Sequence, residues 1–384
     1  MYNNLKLSNV FYLFLVTLLY TNCGQKEDIL PEEPEEEWPV GQNVFVAGNE
    51  NVKNNAAARL WKNGVMQNLT GTAGYGFRST ALISSEARAV FVSGNDVYVA
   101  GYDVIVNGDK WTVNGGEIIT NGDEVISRAR LWKNGEIQNL DPGTLSDQAI
   151  AVFVSGNDVY VLGREALVPV PNPWSWAFKV WKNGKVEVFA EGNSNCRVNS
   201  IFVSEGIVYI AGRMQKPSGI QATLWKNGME ETLASESSSS CANSVFVSGK
   251  DIYVAGDGNS IAKVWKNGKV ENLTNGDKIA EAYSVHLSGN DVYIAGREGD
   301  DAKFWKNGVV QNVTDDKDAR IYHSVFVSGN DVYLAGYVVA VQDVKPGEIP
   351  INYFQATLWK NGKKLKLNTD GKYNNSWAFS VFVK

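Results

Sequence analysis

Two histidines and three cysteines in 384 residues leave little material for zinc sites or Cys/His catalysis. Proline is scarce, at 10, while glycine reaches 37. The net charge is −6 with no basic block, so nucleic acid is not an indicated partner. No Ser/His/Asp grouping, Gly-rich phosphate loop or paired-carboxylate motif emerges, and no cofactor is implied. Asp315-Asp316-Lys317-Asp318 and Asp300-Asp301 lack the regular oxygen-ligand spacing of a calcium loop and read as solvated turns, so no metal is expected. What remains is a chain rich in aromatics (11%) and long enough for one large all-β domain.

The N-terminus is a targeting segment. Lys6 precedes an apolar run, Val10 to Tyr20, too short to span a bilayer. The run ends at Thr21-Asn22-Cys23, which resembles a bacterial lipoprotein signal in which Cys23 is lipidated. Gln25-Lys26-Glu27-Asp28 resembles the export signal of surface lipoproteins of the Bacteroidetes group. The resemblance implies an outer-membrane lipoprotein exposed at the cell surface, in contact with the membrane through its anchor only. The alternative is an ordinary secretory signal cleaved near Cys23. Residues 24–37 are acidic with little apolar content and read as a disordered tether. The expected organisation is therefore a signal over 1–22, lipidated Cys and tether over 23–37, and one monomeric domain over 38–384.

That domain is repetitive. Trp-Lys-Asn-Gly starts at 61, 132, 181, 225, 265, 305 and 359, with a shortest spacing of 40. The fullest unit, residues 243–274, reads as four strands: A (Ser244–Val247), B (Ile252–Gly256), C (Ala262–Trp265) and D (Val270–Thr274). Asn-Gly suits a type I′ hairpin between C and D, and the Gly-Asn of SGND is expected to do the same between A and B. Strands A and B are apolar on both faces, and no helix-period segment is present to cover them. Seven four-stranded antiparallel units packed radially solve this as a seven-bladed β-propeller. The first unit starts at strand B (Asn43–Gly48), and its missing strand A is Ser380–Val383 at the other end of the chain. The repeats resemble a seven-bladed propeller of the Bacteroidetes surface-lipoprotein type, over about 340 residues.

In an up-and-down blade, A–B and C–D turns share one face, while B–C loops and D-to-A connections share the other. The first face is nearly uniform and the second carries all the length variation, so function is expected on the second. Trp38, Trp111, Trp174, Trp176 and Trp377 fall outside the repeat and are placed there, with Tyr337, Tyr353, Phe354, Tyr75 and Phe77. They either present flat surfaces to a ligand or fill satellite cores. The residue before V-F-V is always small: Ala89, Ala151, Ser200, Ser244, Ser284, Ser324, Ser380. Crowding near the axis accounts for that. The residue before it varies: Arg88, Ile150, Asn199, Asn243, Tyr283, His323, Phe379. So does the residue after the strand-B glycine: Asn49, Tyr102, Arg164, Arg213, Asp257, Arg297, Tyr337. Together they are expected to form a polar and aromatic basin around the axis. His286 replaces the Phe of one V-F-V and reads as a buried variant. The WKNG tryptophans read as inter-blade packing.

Cys196 and Cys241 occupy adjacent D-to-A connections and are either a disulfide or two free thiols. Three functions are open: a non-catalytic surface module binding a glycan or protein, a scaffold subunit of an outer-membrane complex, or a polysaccharide-acting propeller enzyme. The enzyme has only Arg88, Tyr283, His323 and Arg320 to work with.

Overall fold

The seven Asn-Gly pairs set the C–D hairpins. Each asparagine has φ of 48–53° and each following glycine 76–86°, the sign pattern of a type I′ turn. The A–B turns differ from the expectation. At Gly94, Gly156, Gly249, Gly289 and Gly329 only the glycine is positive, at 56–59°. With glycine first of the two central residues, the turn is of type II′ sign, not I′. Glu205-Gly206 alone keeps both positive, at 51° and 76°.

The structure is a computed structural model. It describes residues 38–384 except 53–54, 70–79, 108–110, 115–116, 121–123, 141–145, 168–174, 234–238, 312–316, 343–348 and 372. At 80–81, 83, 106–107, 111–114, 117–120 and 124–125 it describes the backbone alone. The signal, Cys23, the tether, Trp174, the loop bearing Tyr75 and Phe77, and Asp315-Asp316 lie outside the described residues.

Seven four-stranded antiparallel sheets follow one another around a ring. Blade 1 joins Ser376–Val383, Val44–Val52, Asn55–Lys62 and Val65–Asn68. The inner strands A of blades 2 to 7 are Thr80–Ser93, Asp147–Ser155, Arg197–Ser204, Ser240–Ser248, Ala280–Ser288 and Ala319–Ser328. They are longer than the V-F-V core because they continue back into the D-to-A connection. A separate hairpin, Trp111–Asn114 with Glu117–Thr120, lies between strands B and C of blade 2. Blade 1 is closed by the chain's last strand: Val44, Phe45, Val46 and Ala47 pair with Val383, Phe382, Val381 and Ser380. Asn43 N donates to Lys384 O at 2.7 Å and Lys384 N to Asn43 O at 2.9 Å.

The WKNG tryptophans are 0–1% exposed. Trp265 of blade 5 shares a cluster with Tyr209, Ala211 and Leu224 of blade 4, and Trp359 of blade 7 with Tyr293 and Phe304 of blade 6. They are the inter-blade packing expected of them. Burying one such ring removes about 150–250 Å² from water, on the order of 4–6 kcal/mol before entropy. The rest of the motif ties the two turns of a blade together. In blades 2, 3, 5, 6 and 7 the motif lysine pairs with the aspartate that opens strand B, at 2.7–2.9 Å. The motif asparagine donates to the same carboxylate at 2.7–2.9 Å. Exposed pairs of this kind each contribute little; their regularity accounts for the uniformity of this face.

Every strand-B glycine faces a bulge in strand A. A Cβ on Gly48, Gly101, Gly163, Gly212, Gly256, Gly296 or Gly336 would lie 1.8–2.2 Å from a strand-A carbonyl oxygen. In all seven blades the ladder skips one strand-A residue beside that glycine. Blade 1 also buries an ion pair: Arg59 Nε to Glu50 Oε2 at 3.1 Å, with side chains 1% and 0% exposed. Glu50 also accepts from Asp370 N at 3.0 Å and Asn374 Nδ2 at 2.9 Å. This binds the segment leading into the closing strand.

Candidate functional site

The residues skipped by the seven bulges are Phe379, Arg88, Ile150, Asn199, Asn243, Tyr283 and His323. These are the variable residues singled out before the small one. A bulge re-aims a side chain out of the pleat, and here all seven line one cavity of 410 Å³ on the axis. The bulge residues stand at the B–C and D-to-A end of its lining, because the bulges sit in the first half of strand A.

Below the bulges lies the small-residue layer, which does more than fit. Ser200 Oγ accepts from Val245 N of the next blade at 3.3 Å. Ser244, Ser284, Ser324 and Ser380 do the same for Val285, Val325, Val381 and Val90 at 3.2 Å. Each serine satisfies an N–H on the inner edge of the neighbouring sheet.

The floor is aromatic. Phe91, Phe153, Phe202, Phe246, His286, Phe326 and Phe382 form a closed ring of tilted contacts, with neighbouring centroids 4.5–5.1 Å apart. Phe382 comes from the closing strand. Burial depresses His286 to about 4, so it sits in this ring as a neutral imidazole.

Around the mouth stands a crown of register pairs, one per blade. Each joins the residue two before the bulge to the residue after the strand-B glycine: Trp377–Asn49, Glu86–Tyr102, Gln148–Arg164, Arg197–Arg213, Cys241–Asp257, Glu281–Arg297 and Ile321–Tyr337. The second member of each pair was among the expected basin residues. Of the first members, only Trp377 was. Their signal is a fixed offset, two residues before the variable position.

Blades 6, 7, 1 and 2 make an aromatic arc. His323 lies 5.5 Å from Tyr283, 5.5 Å from Phe379 and 5.9 Å from Tyr337. Phe354 joins Tyr337 at 5.1 Å to Trp377 at 5.8 Å. Arg88 covers Phe379 at 5.1 Å, pairs with Glu86 at 2.6 Å and donates to Tyr102 Oη at 3.2 Å. Burial, then Arg88 and Arg297, hold His323 down at about 4.

Blades 5 and 6 carry two of the crown's three acidic residues, Asp257 and Glu281; the third, Glu86, is on blade 2. Glu281 accepts from Tyr283 Oη and from Arg297 Nε, the latter at 2.6 Å. Asp257 accepts from Asn243 Nδ2 at 3.1 Å, yet burial and then the nearby Glu281 raise it to about 6. Asn199 and Asn243 also donate to the backbone carbonyls of Ala242 and Ala282 on following blades, at 2.9 and 3.0 Å. Blades 3 and 4 carry Arg164, Arg197 and Arg213.

Several candidates fall elsewhere. Trp111 opens the extra hairpin, and its side chain lies outside the described residues. Trp176 is 9% exposed and serves as a platform beneath Arg164, 4.2 Å away. Trp38 is not on this face. It packs in the cluster between blades 7 and 1, against the C–D turn at Gly64.

Cys196 and Cys241 are free thiols, not a disulfide. They are one register position out of step, since Arg197, not Cys196, is the counterpart of Cys241. A one-residue offset sends side chains to opposite faces of a sheet. Cys241 joins the crown, where burial raises its pKa to about 12. Cys196 turns inward against Gly192 and accepts from Gln215 N at 3.2 Å.

No family model matches the sequence, and no curated protein matches it. Among solved structures the chain is similar to apo AztD from Citrobacter koseri, with 10% identity over 89% of this chain and 98% of that one, TM-score 0.42. A putative 6-phosphogluconolactonase from Bacteroides uniformis gives 12% identity, 89% and 99% coverage and TM-score 0.44. The computationally designed protein Ika8 gives 17%, 88% and 96%, and 0.40. These likenesses concern the fold alone.

Proposed function

We propose that this chain is a non-catalytic binding module of a Bacteroidetes-type surface lipoprotein. It holds its ligand, a glycan or a protein segment, at the mouth of the propeller axis. One observation carries the reading. Seven bulges place seven side chains of six kinds around a single cavity of 410 Å³, within the size range of small-ligand sites, while the strands beneath them repeat. The variable positions are the ones freed from the ladder. The test is a binding screen of the purified full chain against glycans and secreted proteins, repeated with Tyr283→Ala and His323→Ala. Capture that is equal in wild type and both variants would sink the reading.

A second reading, a polysaccharide-acting enzyme, is favoured by a different observation. Burial and then Glu281 raise Asp257 to about 6, while Glu281 itself accepts from Tyr283 Oη and Arg297 Nε. A buried carboxyl raised toward neutrality next to a second carboxylate is a recurring acid/base arrangement. Product release from a polysaccharide, abolished by Asp257→Asn, would displace the binding reading.

A further inference from the structure

The crown pairs of three blades place comparable residues opposite one another with different outcomes. In blade 6, Glu281 faces Arg297 and the charges neutralise each other at 2.6 Å. In blade 3, Gln148 faces Arg164, and its Oε1 accepts from Nε at 3.1 Å and Nη2 at 2.8 Å. In blade 4, Arg197 faces Arg213. Like charges directly opposite on antiparallel strands work against the sheet.

Among the described residues no carboxylate lies at ion-pair distance from either arginine; the nearby Asp257 of blade 5 acts on Arg213 only through the longer-range field. Arg59, Arg88, Arg130 and Arg297 each reach a carboxylate at 2.6–3.1 Å. Arg213 Nε donates to the Asn195 carbonyl at 2.9 Å, a neutral acceptor. The Arg197 side chain is exposed. Arg164 is half-buried on the Trp176 ring, and its Nε and Nη2 both donate to Gln148 Oε1. Burial, and then Arg197, lower Arg164 to about 10. Three guanidiniums thus stand on two adjacent blades with no carboxylate at ion-pair distance among the described residues, in the crown whose bulge neighbours Ile150 and Asn199 line the cavity. Their forked donors match a carboxylate or sulfate oxygen pair.

Resting on the binding reading above, the structure assigns Arg164, Arg197 and Arg213 to anion recognition: this arc of the mouth takes the carboxylate or sulfate of an acidic sugar. The sugar is favoured over an acidic peptide by the aromatic arc across the mouth, where half-buried Tyr337, Trp377 and Phe379 stand with His323 as a rigid, mutually packed apolar wall suited to a compact ring. The 410 Å³ cavity suits one or two sugar rings better than an extended chain.

The experiment uses the purified full chain and four probes: trigalacturonate, galactotriose, triglutamate and inorganic sulfate. Calorimetric titration is expected to show trigalacturonate binding with no measurable galactotriose or triglutamate binding. Sulfate should compete with trigalacturonate. Arg197→Gln and Arg213→Gln should each weaken trigalacturonate by about tenfold or more. A second readout needs no ligand. Each variant should melt higher than wild type in low salt, and the gain should vanish in about 1 M salt as the repulsion is screened. A purely structural arginine would instead lower the melting temperature.

Galactotriose binding as tightly as trigalacturonate, or unchanged trigalacturonate affinity in both variants, overturns the assignment. So does triglutamate binding in preference to the sugar, or no binding by any probe. The wider reading survives those outcomes wherever the screen still finds a ligand lost in Tyr283→Ala or His323→Ala.

Discussion

Five of the seven blades present a serine to the next inner strand, and two present alanine: Ala89 toward Val152 and Ala151 toward Ile201. If smallness were all the position requires, serine and alanine would be equivalent. The observed hydrogen bonds, at 3.2–3.3 Å to an inward-facing N–H, say otherwise. A neutral bond of this kind contributes about 1 kcal/mol net, and in a domain this large that is about 2 °C of midpoint. The three sites Ser200, Ser284 and Ser380 do not contact one another, so their alanine substitutions should add. The triple variant is expected to lose about 3 kcal/mol, or about 6 °C. Conversely, Ala89→Ser with Ala151→Ser should gain about 1–2 kcal/mol by completing the ring. Scanning calorimetry and urea unfolding measure both. A triple alanine variant as stable as wild type, or a destabilised double serine variant, would refute the clasp and restore crowding as the explanation.

Further outcomes follow from the same geometry. Gly256→Ala puts a Cβ 2.0 Å from Cys241 O and 3.0 Å from the Trp265 ring, and should cost about 3 kcal/mol or more by thermal melting. Gly249→Ala meets open space but has φ of 57° and should cost only about 1 kcal/mol. Deleting 377–384 removes buried Ala378, Val381 and Val383 and opens the aromatic floor at Phe382. A loss of about 5 kcal/mol or more is expected, and an unchanged melting temperature would contradict the closure. His286→Phe should stabilise the protein increasingly as pH falls. The wild-type imidazole is held at about 4 when folded against about 6.5 unfolded. The unfolded chain therefore binds the proton first, and wild-type stability drops between about pH 6.5 and 4. A variant-minus-wild-type difference that does not change with pH would contradict a buried neutral His286.

The blade count, the closing strand and the face that carries the variable loops were legible because each depends on repetition, and repetition survives in a single sequence. The WKNG tryptophans could be read as packing for the same reason. The bulge was visible only as variability beside a constant small residue. Its cause, a glycine whose hydrogen lies under a carbonyl, is a close approach across strands that spacing alone does not reveal. Glu86, Gln148, Arg197 and Glu281 were passed over because a bulge breaks the period of two, so residues two before it rejoin the mouth out of phase with the V-F-V core. The same phase error joined Cys196 to Cys241. Trp38 was assigned to the wrong face because it precedes the first strand and has no repeat to fix its side. The A–B turns were misjudged because Gly-Asn and Asn-Gly look alike by composition, while φ depends on their order.

The hydrogen bonds between Asn43 and Lys384 also settle how the domain can be held. Strand B of blade 1 starts, and its strand A finishes, at the end bearing the uniform turns. Both chain ends of the propeller therefore emerge opposite the mouth. A fusion partner or an immobilising surface joined at either end of the propeller would be attached on the side of the uniform turns, across the ring from the crown of variable residues.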